Sequence, residues 1–427
     1  MAVLYAARMT DATDARLAAQ YEAYPYPQRD PNDEKKRLVV GTPSHLREVD
    51  WWVFGARRPR SRPLRALIAG GGTGDAAIML AAQMTCWGQP GTVTYLDRSA
   101  AALRIAQARA AARGLQNIVW ERGSLLDLPT AGLEPFDYID CCGVLHHLPD
   151  PAAGLSALLS VLAPGGGLGL MVYAPHGRTG VYMVQDALRL LAPPDGAPAA
   201  RLDMAKRVMR HLPESNWLRF NRNFADHLTG GDAGLYDLLL NPRDRAFDVP
   251  ALHALLHGAG LAVTALMEPM RYDPATWLPD PKLRARAAAL DPVARAALAE
   301  AVTANMSTHV AYCVRAAERT GPADPMPADP LDDAAVPVAR EMPAGEVARA
   351  IRPDGTLTFL FDGLGALVAL PPLAGAILRQ VDGARCLGEI ATALVATGIE
   401  RGAFNRAWRE TWDKLSGLNR ILLAPPP

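Results

Sequence analysis

Little in this sequence points to a membrane, a metal or an oxidising compartment. No segment offers the roughly 20 apolar residues needed to span a bilayer, and the opening residues, MAVLYAARMTDATDAR, lack the basic start and apolar block of a secretory signal. The five cysteines, Cys86, Cys141, Cys142, Cys313 and Cys386, are odd in number and form no C-x-x-C pair. That usage fits reduced thiols in a cytoplasm, and it indicates no zinc site. An excess of charge of one sign is missing too, since 44 basic residues balance 44 acidic ones. The dense basic run RRPRSRPLR, residues 57–65, reads as a solvated linker before a strand. The balance argues against nucleic acid as a partner. Internal repeats are absent as well.

What is there is a chain of 427 residues, half of them hydrophobic, long enough for two or three domains with cores of their own. Residues 1–59 form a leader around QYEAYPYPQRDP, a Tyr/Pro stretch expected to be extended or looped, because each proline removes a donor and fixes φ. From Leu64 short apolar runs alternate with Ala-rich helical stretches: RALIA, TGDAAIMLAAQM, TVTYLD, SAAALRIAQARAAARG, NIVWERG, FDYIDCCGV, PAAGLSALLSVLAPGG and GLGLMVYA. This spacing predicts βαβ units and a parallel sheet covered on both faces. A helical insertion is expected over 174–246. VPALHALLHGAGLAVTALME then restores helix and strand, a second insertion covers 273–305, and THVAYCVRA supplies the last strand. Residues 317–343, rich in Pro, Asp and Ala, read as a linker. Beyond them a hairpin and three helices suffice for a small domain.

The chemistry gathers at LRALIAGGGTGDAAIML, where a strand meets four glycines in five positions before a helix. Such a bend lets a ligand approach the backbone closely. GTGDAA satisfies the dinucleotide pattern G-x-G-x-x-G/A, so a nicotinamide dehydrogenase competes. TVTYLD ends in Asp97, which can accept from a ribose diol or cap the next helix.

With GSLLDLP and FDYIDCCGVLHHLPDP following in order, the chain resembles the class I S-adenosylmethionine-dependent methyltransferases. The resemblance covers about residues 60–173 and returns over 249–316. It implies an α/β, seven-stranded, mostly parallel Rossmann-like sheet whose antiparallel strand is THVAYCVR, with S-adenosyl-L-methionine as cofactor. Carried over, Gly70, Gly72 and Gly74 approach the methionine moiety, Asp97 holds the ribose, Ser124 and Leu125 flank the adenine, and Cys142 and Gly143 lie under the methionyl group. Many members have an acid two residues before the first glycine, where this chain has Ile68, and Asp where it has Ser124. Asp75, or a carbonyl of the fourth strand, is expected to replace the missing acid.

His146 and His147 are the candidate bases, with packing or capping as their alternative roles. Acceptor recognition is expected from the added segments: Tyr24 and Tyr26 with Tyr21 in the leader, as a lid or as structural strapping, and Tyr173, Arg178, Tyr182, Gln185, Asp226, His227, Tyr236 and Asp237 in and around the first insertion. The C-terminal piece, about residues 344–427, loosely resembles small winged-helix peptide-binding domains; a regulatory or dimerising appendage is the alternative. The expected activity is methyl transfer to a protein or peptide side chain, with a small-metabolite hydroxyl, amine or carboxylate as the other acceptor class. A non-catalytic cofactor-binding scaffold is the reading from a different class, and oligomeric state is left open.

Overall fold

The computed structural model describes residues 2–221, 226–319 and 327–426. Ahead of the first strand the chain is more helical than its prolines suggest. α1 (Ala2–Ala23) takes in Gln20 to Ala23 of the Tyr/Pro stretch and ends where the prolines begin. The expectation of an extended or looped Tyr/Pro stretch therefore holds only over residues 24–30, where Pro25 and Pro27 forbid a regular helix. After a 3-10 turn at Pro31–Lys35 comes α2 (Leu46–Glu48), which widens into a π turn over Val49–Val53.

β1 (Leu64–Ala69) is buried at five of its six positions, as a strand covered on both faces must be. Its alternation sends Leu67 and Ala69 into one core with Ile139, Cys141, Leu168 and Leu170, and Ala66 and Ile68 into another with Val93, Tyr95, Tyr138 and Tyr312. α3 (Asp75–Cys86), β2 (Gly91–Asp97), α4 (Ala100–Arg113), β3 (Ile118–Arg122) and β4 (Phe136–Cys142) follow as the sequence predicts. α4 stops at Gly114, whose φ of +73° is the left-handed cap that glycine adopts without strain.

α5 (Pro151–Ser160) begins at Asp150, whose side chain accepts from the Ala152 and Ala153 amides, and it has Pro151 in its first turn. Here the sequence expectation of a helix running to Gly166 fails. β5 (Leu162–Tyr173) already pairs at Leu162 with Phe136, and a bulge re-registers it to Gly167 opposite Tyr138. The glycines make the bulge possible: a Cβ at Gly166 would lie 2.7 Å from the Asp137 carbonyl oxygen.

The insertion holds α6 (Val181–Leu191), α7 (Pro198–His211), α8 (Trp217–Phe220), α9 (Asp226–Thr229) and α10 (Gly231–Leu240). α11 (Val249–Gly258) and β6 (Leu261–Leu266) come next. α12 (Pro281–Ala288) and α13 (Pro292–Thr303) then precede β7 (Thr308–Arg315). The seven strands run in the order β3-β2-β1-β4-β5-β7-β6, with β7 antiparallel to both its neighbours and the other ladders parallel.

The C-terminal unit starts earlier than the composition suggests. β8 (Pro337–Ala339), inside the stretch read as linker, pairs antiparallel with β11 (Ile421–Leu423), and the Trp408 indole donates to the Pro330 carbonyl at 2.7 Å. Between them lie α14 (Ala344–Ala350), the hairpin β9 (Thr356–Phe361) and β10 (Leu364–Ala369), then α15 (Ala374–Leu378), α16 (Leu387–Val395) and α17 (Arg401–Gly417). Asp362 and Gly363, both at positive φ, make the tight two-residue turn that suits strand twist. Among the described residues no helix is long and apolar enough to cross a membrane.

Candidate active site

At the carboxyl ends of β1, β2 and β4 the sheet opens into a cavity of about 720 Å³, roofed by α1 and the leader. The glycine bend forms one wall, and its own hydrogen bonds explain much of its bareness. The Leu96 carbonyl accepts from both the Gly70 and Gly71 amides, Asp97 Oδ2 accepts from the Gly72 amide at 2.8 Å, and the Tyr95 hydroxyl donates to the Gly72 carbonyl at 2.6 Å. Added carbons would collide: 2.3 Å from Val144 Cγ2 at Gly70, and 2.8 Å from the Tyr26 carbonyl oxygen at Gly72. Gly70 and Gly72 line the cavity and Gly74 does not. Gly74 instead lets α3 approach α4, since a Cβ there would lie 2.8 Å from Ala106 Cβ.

Asp97 is the tip of β2 and lines the cavity. Its Oδ1 accepts from the Ser99 amide at 2.8 Å, while the cap of α4 is Ser99, whose hydroxyl accepts from Ala102. Asp97 therefore does not cap the helix. Burial pushes its pKa up, and the Ser99 and Gly72 amides oppose the shift. A carboxylate offers about four lone-pair sites, so acceptor capacity remains. Ser124 and Leu125 line the neighbouring wall, with the Ser124 hydroxyl accepting from the Leu126 amide at 3.2 Å. Cys142 and Gly143 form the floor. Burial drives the Cys142 thiol far up, so it stays protonated and is no nucleophile, and a Cβ at Gly143 would meet only Met171 Cε at 3.6 Å.

Asp75 departs from the role expected of it. It touches the cavity, but Arg29 grips its carboxylate with Nε at 2.9 Å and Nη2 at 2.6 Å, and Arg109 adds a 2.6 Å contact. These guanidinium groups lower its pKa against the opposing effect of burial. Arg109 also pairs with buried Glu34, so the network fixes the leader to α4. A carboxylate so neutralised is a poor seat for another cation.

The far end of the cavity is polar. Asp237 accepts from Tyr21 at 3.0 Å, Gln20 at 3.3 Å and Asn241 at 3.2 Å on Oδ1, and from Tyr173 at 3.1 Å on Oδ2. Burial, then the nearby Asp237 charge, raises the Tyr21 and Tyr173 pKa values, so both phenols stay protonated donors. His147 lines the same end. Its Nδ1 lies 2.6 Å from the Arg243 carbonyl, which can only accept, so Nδ1 carries the proton and Nε2 is left as acceptor.

His146 stands apart. It is fully buried behind this wall, stacked on Tyr173 at 3.8 Å, with neither ring nitrogen hydrogen-bonded among the described residues. Burial, then His147 and Arg178, holds its pKa well down, so it is a neutral packing ring and the expectation of a base is corrected.

Arg178, Tyr182 and Gln185 are likewise outside the cavity. All three bond Asp244, with Arg178 Nη2 at 2.5 Å, and the Arg178 guanidinium lies 3.7 Å over the Tyr173 ring, so they buttress that ring rather than meet a ligand. Tyr24 stacks on Tyr236 at 5.0 Å and neither lines the cavity, whereas Tyr26 does. The side chains of Asp226 and His227 lie outside the described residues. Sequence reasoning overlooked Asp140, a cavity-lining acid inside the apolar run FDYIDCC, and Arg243, which ties His147 to Asp14 at 2.7 Å. The charge within a central strand was the available signal for Asp140; nothing local marked Arg243. Among the described residues no cluster of His, Cys, Asp or Glu could hold a metal ion.

Comparison with known proteins agrees with this geometry. Residues 67–168 match the family described as "Methyltransferase domain". This stretch belongs to that family, and the sheet built around it has the Rossmann-like fold of class I S-adenosylmethionine-dependent methyltransferases. An uncharacterised protein of Synechococcus sp. is 31% identical over 271 residues, 63% of each chain, and a ubiquinone biosynthesis O-methyltransferase of Thiobacillus denitrificans is 31% identical over 36% of this chain and 60% of its own. The chain thus spans about three fifths of the length of these curated relatives. The structure of PKMT2 from Rickettsia typhi, also solved in complex with AdoHcy, superposes over 90% of this chain and 75% of its own with a TM-score of 0.60 at 14% identity, a likeness of fold.

Proposed function

We propose that this chain is an S-adenosylmethionine-dependent methyltransferase acting on a nucleophile of a protein or peptide side chain. The observation that carries the reading is the single cavity that joins the glycine bend and Asp97 at one end to Tyr21, Tyr173, Asp237 and His147 at the other. The residues present fit the cofactor. Asp97 has lone pairs for a ribose diol, Ser124 and Leu125 offer a wall for a base, and the floor at Gly143 has room above it. When bound, S-adenosylmethionine supplies a sulfonium methyl open to in-line displacement.

The chain's own work is orientation, which can supply roughly 7–11 kcal/mol of barrier reduction. The Asp237 carboxylate fixes the Tyr21 and Tyr173 hydroxyls, whose remaining lone pairs can receive the N–H or O–H of an acceptor. His147 Nε2 is the proton acceptor, since Nδ1 is engaged by Arg243. A macromolecular acceptor is favoured by the C-terminal unit. It contributes no residue to the cavity, its hairpin strands β9 and β10 pair only with each other among the described residues, and Leu360 and Leu367 stand 70% and 65% exposed on that hairpin. An extended peptide can add to such an edge, as a winged-helix-like module presenting substrate would need. The five free cysteines accord with a cytoplasmic setting.

The test is transfer of labelled methyl from S-adenosylmethionine into fractionated cell extract. Label in polypeptide is expected; label confined to small metabolites overturns the protein reading. Cofactor binding without any transfer would mark a scaffold, and calorimetric binding of NAD without S-adenosylmethionine would end the methyltransferase reading itself.

A further inference from the structure

β4 carries a charge where a central strand is normally apolar. Asp140 is 1% exposed between Ile139 and Cys141, yet it contributes to the cavity wall. A buried carboxylate is ordinarily paired with a cation. Among the described residues Asp140 accepts only from the Ser44 hydroxyl at 2.5 Å and the Cys142 amide at 2.9 Å, and it has no ion pair there. It stands in register with Ile68 of β1, so the two side chains share a face of the sheet beside the glycine bend. Ile68 occupies the place where the resemblance puts an acid. The other acids of the cavity are differently engaged. Asp75, Asp14 and Glu22 face arginines, Asp97 is at the tip of β2, and Asp237 at the far end already has four donors.

We propose that Asp140, held by Ser44 and Cys142, receives the α-ammonium of S-adenosylmethionine, so that the anion absent from β1 at Ile68 is supplied by the adjacent strand. The inference rests on the proposed reading of the cavity as the seat of that cofactor. It also explains why a carboxylate is kept in a strand that otherwise buries no charged side chain: its counter-ion arrives with the ligand.

The experiment is calorimetric titration of the full chain and of Asp140→Asn with three probes: S-adenosylhomocysteine, its analogue lacking the α-amino group, and 5′-methylthioadenosine. On the unmodified protein, loss of the amino group should weaken binding roughly tenfold to a hundredfold, the range of one charged hydrogen bond. Asp140→Asn should weaken S-adenosylhomocysteine by a similar factor, abolish the preference for it over the deaminated analogue, and leave 5′-methylthioadenosine within about twofold. A variant that keeps the full preference for the amino group overturns the inference. Equal affinity of the unmodified protein for the two homocysteine probes overturns it without any variant. Failure of all three probes to bind the unmodified protein overturns the cofactor reading beneath it.

Discussion

Two backbone amides converge on Asp97, one from the glycine bend and one from Ser99, the cap of the next helix, and they hold its carboxylate toward the cavity without neutralising it. Asp97→Ala should therefore weaken S-adenosylhomocysteine binding by about 1.5–3 kcal/mol, tenfold to a hundredfold by calorimetry; unchanged affinity in a folded variant would leave Asp97 a purely structural turn residue. This residue was legible because strand end, glycine turn and acid follow one another at a readable spacing. Asp140 was not, because its meaning depends on the register of β1 against β4, which no local pattern encodes. Asp140 also makes a pH prediction. Burial raises its pKa to about 6, whereas an unfolded aspartate titrates near 3.9. The folded protein thus keeps a proton that the unfolded chain has lost, so the contribution of Asp140 is fully present below about pH 4 and is lost as pH rises to about 6. The loss is on the order of 2–3 kcal/mol. Its neighbours Tyr138 and Cys142 are pushed upward by burial and do not titrate there. Asp50 is also raised to about 6, so the measurement is the difference in urea stability between the ligand-free protein and Asp140→Asn across pH 4 to 7. The variant should gain relative stability over that window and hold it above pH 6; parallel curves would refute the assignment.

At the scale of elements, the glycine bend serves two purposes that one motif does not distinguish. Gly70 and Gly72 face the cavity, while Gly74 lets α3 pack closely on α4. Gly74→Ala places a side chain at φ +103° and 2.8 Å from Ala106 Cβ, so strain and overpacking together should cost roughly 2–4 kcal/mol in urea unfolding. S-adenosylhomocysteine affinity should stay within about threefold in the folded fraction. The reverse pattern, intact stability with lost binding, would return Gly74 to the ligand. The βαβ alternation of the core was readable because strands buried on both faces and glycine-stopped helices leave strong local signals. The leader was harder to read: prolines from Pro25 onward drew attention to the breaks, although α1 before them contributes Leu17, Ala18 and Tyr21 to the cavity. The start of β5 was hidden for a similar reason, since APGGG looks like a helix stop and becomes a bulge only when Phe136 pairs with Leu162.

For the whole molecule, the stretch read as a linker carries the side chain that ties the C-terminal unit to the sheet. Glu48 is fully buried, and its carboxylate accepts from Arg340 and from Asn419 at 2.6 Å, both of the C-terminal unit, and from Thr42 at 2.6 Å and Tyr312 of β7 at 2.7 Å. Arg340 also donates to the Gly41 carbonyl at 2.8 Å, and Gly41 and Thr42 line the cavity. Trp412 packs edge-on to Trp51 beside this cluster, with ring centroids 5.3 Å apart. Arg340 sits 292 residues from Glu48 along the chain, and no composition or period announces such a pairing. Because the pair is buried, the gain from its attraction is offset by desolvation, but breaking one side leaves a charge stranded. Arg340→Met should therefore lower stability by about 3–5 kcal/mol, and the double variant with Glu48→Gln should recover part of that loss by removing the orphaned charge. Urea titrations of the protein, the two single variants and the double variant give the coupling directly. If the losses of the single variants simply add, the two groups act independently and the C-terminal unit is held by its other contacts, among them the Arg271–Asp362 ion pair and the hydrogen bond from Asn305 to the Phe361 carbonyl; if they couple, excising the chain from residue 327 onward, Arg340 included, should destabilise the cavity wall at Gly41 and Thr42, although none of the excised residues lines it.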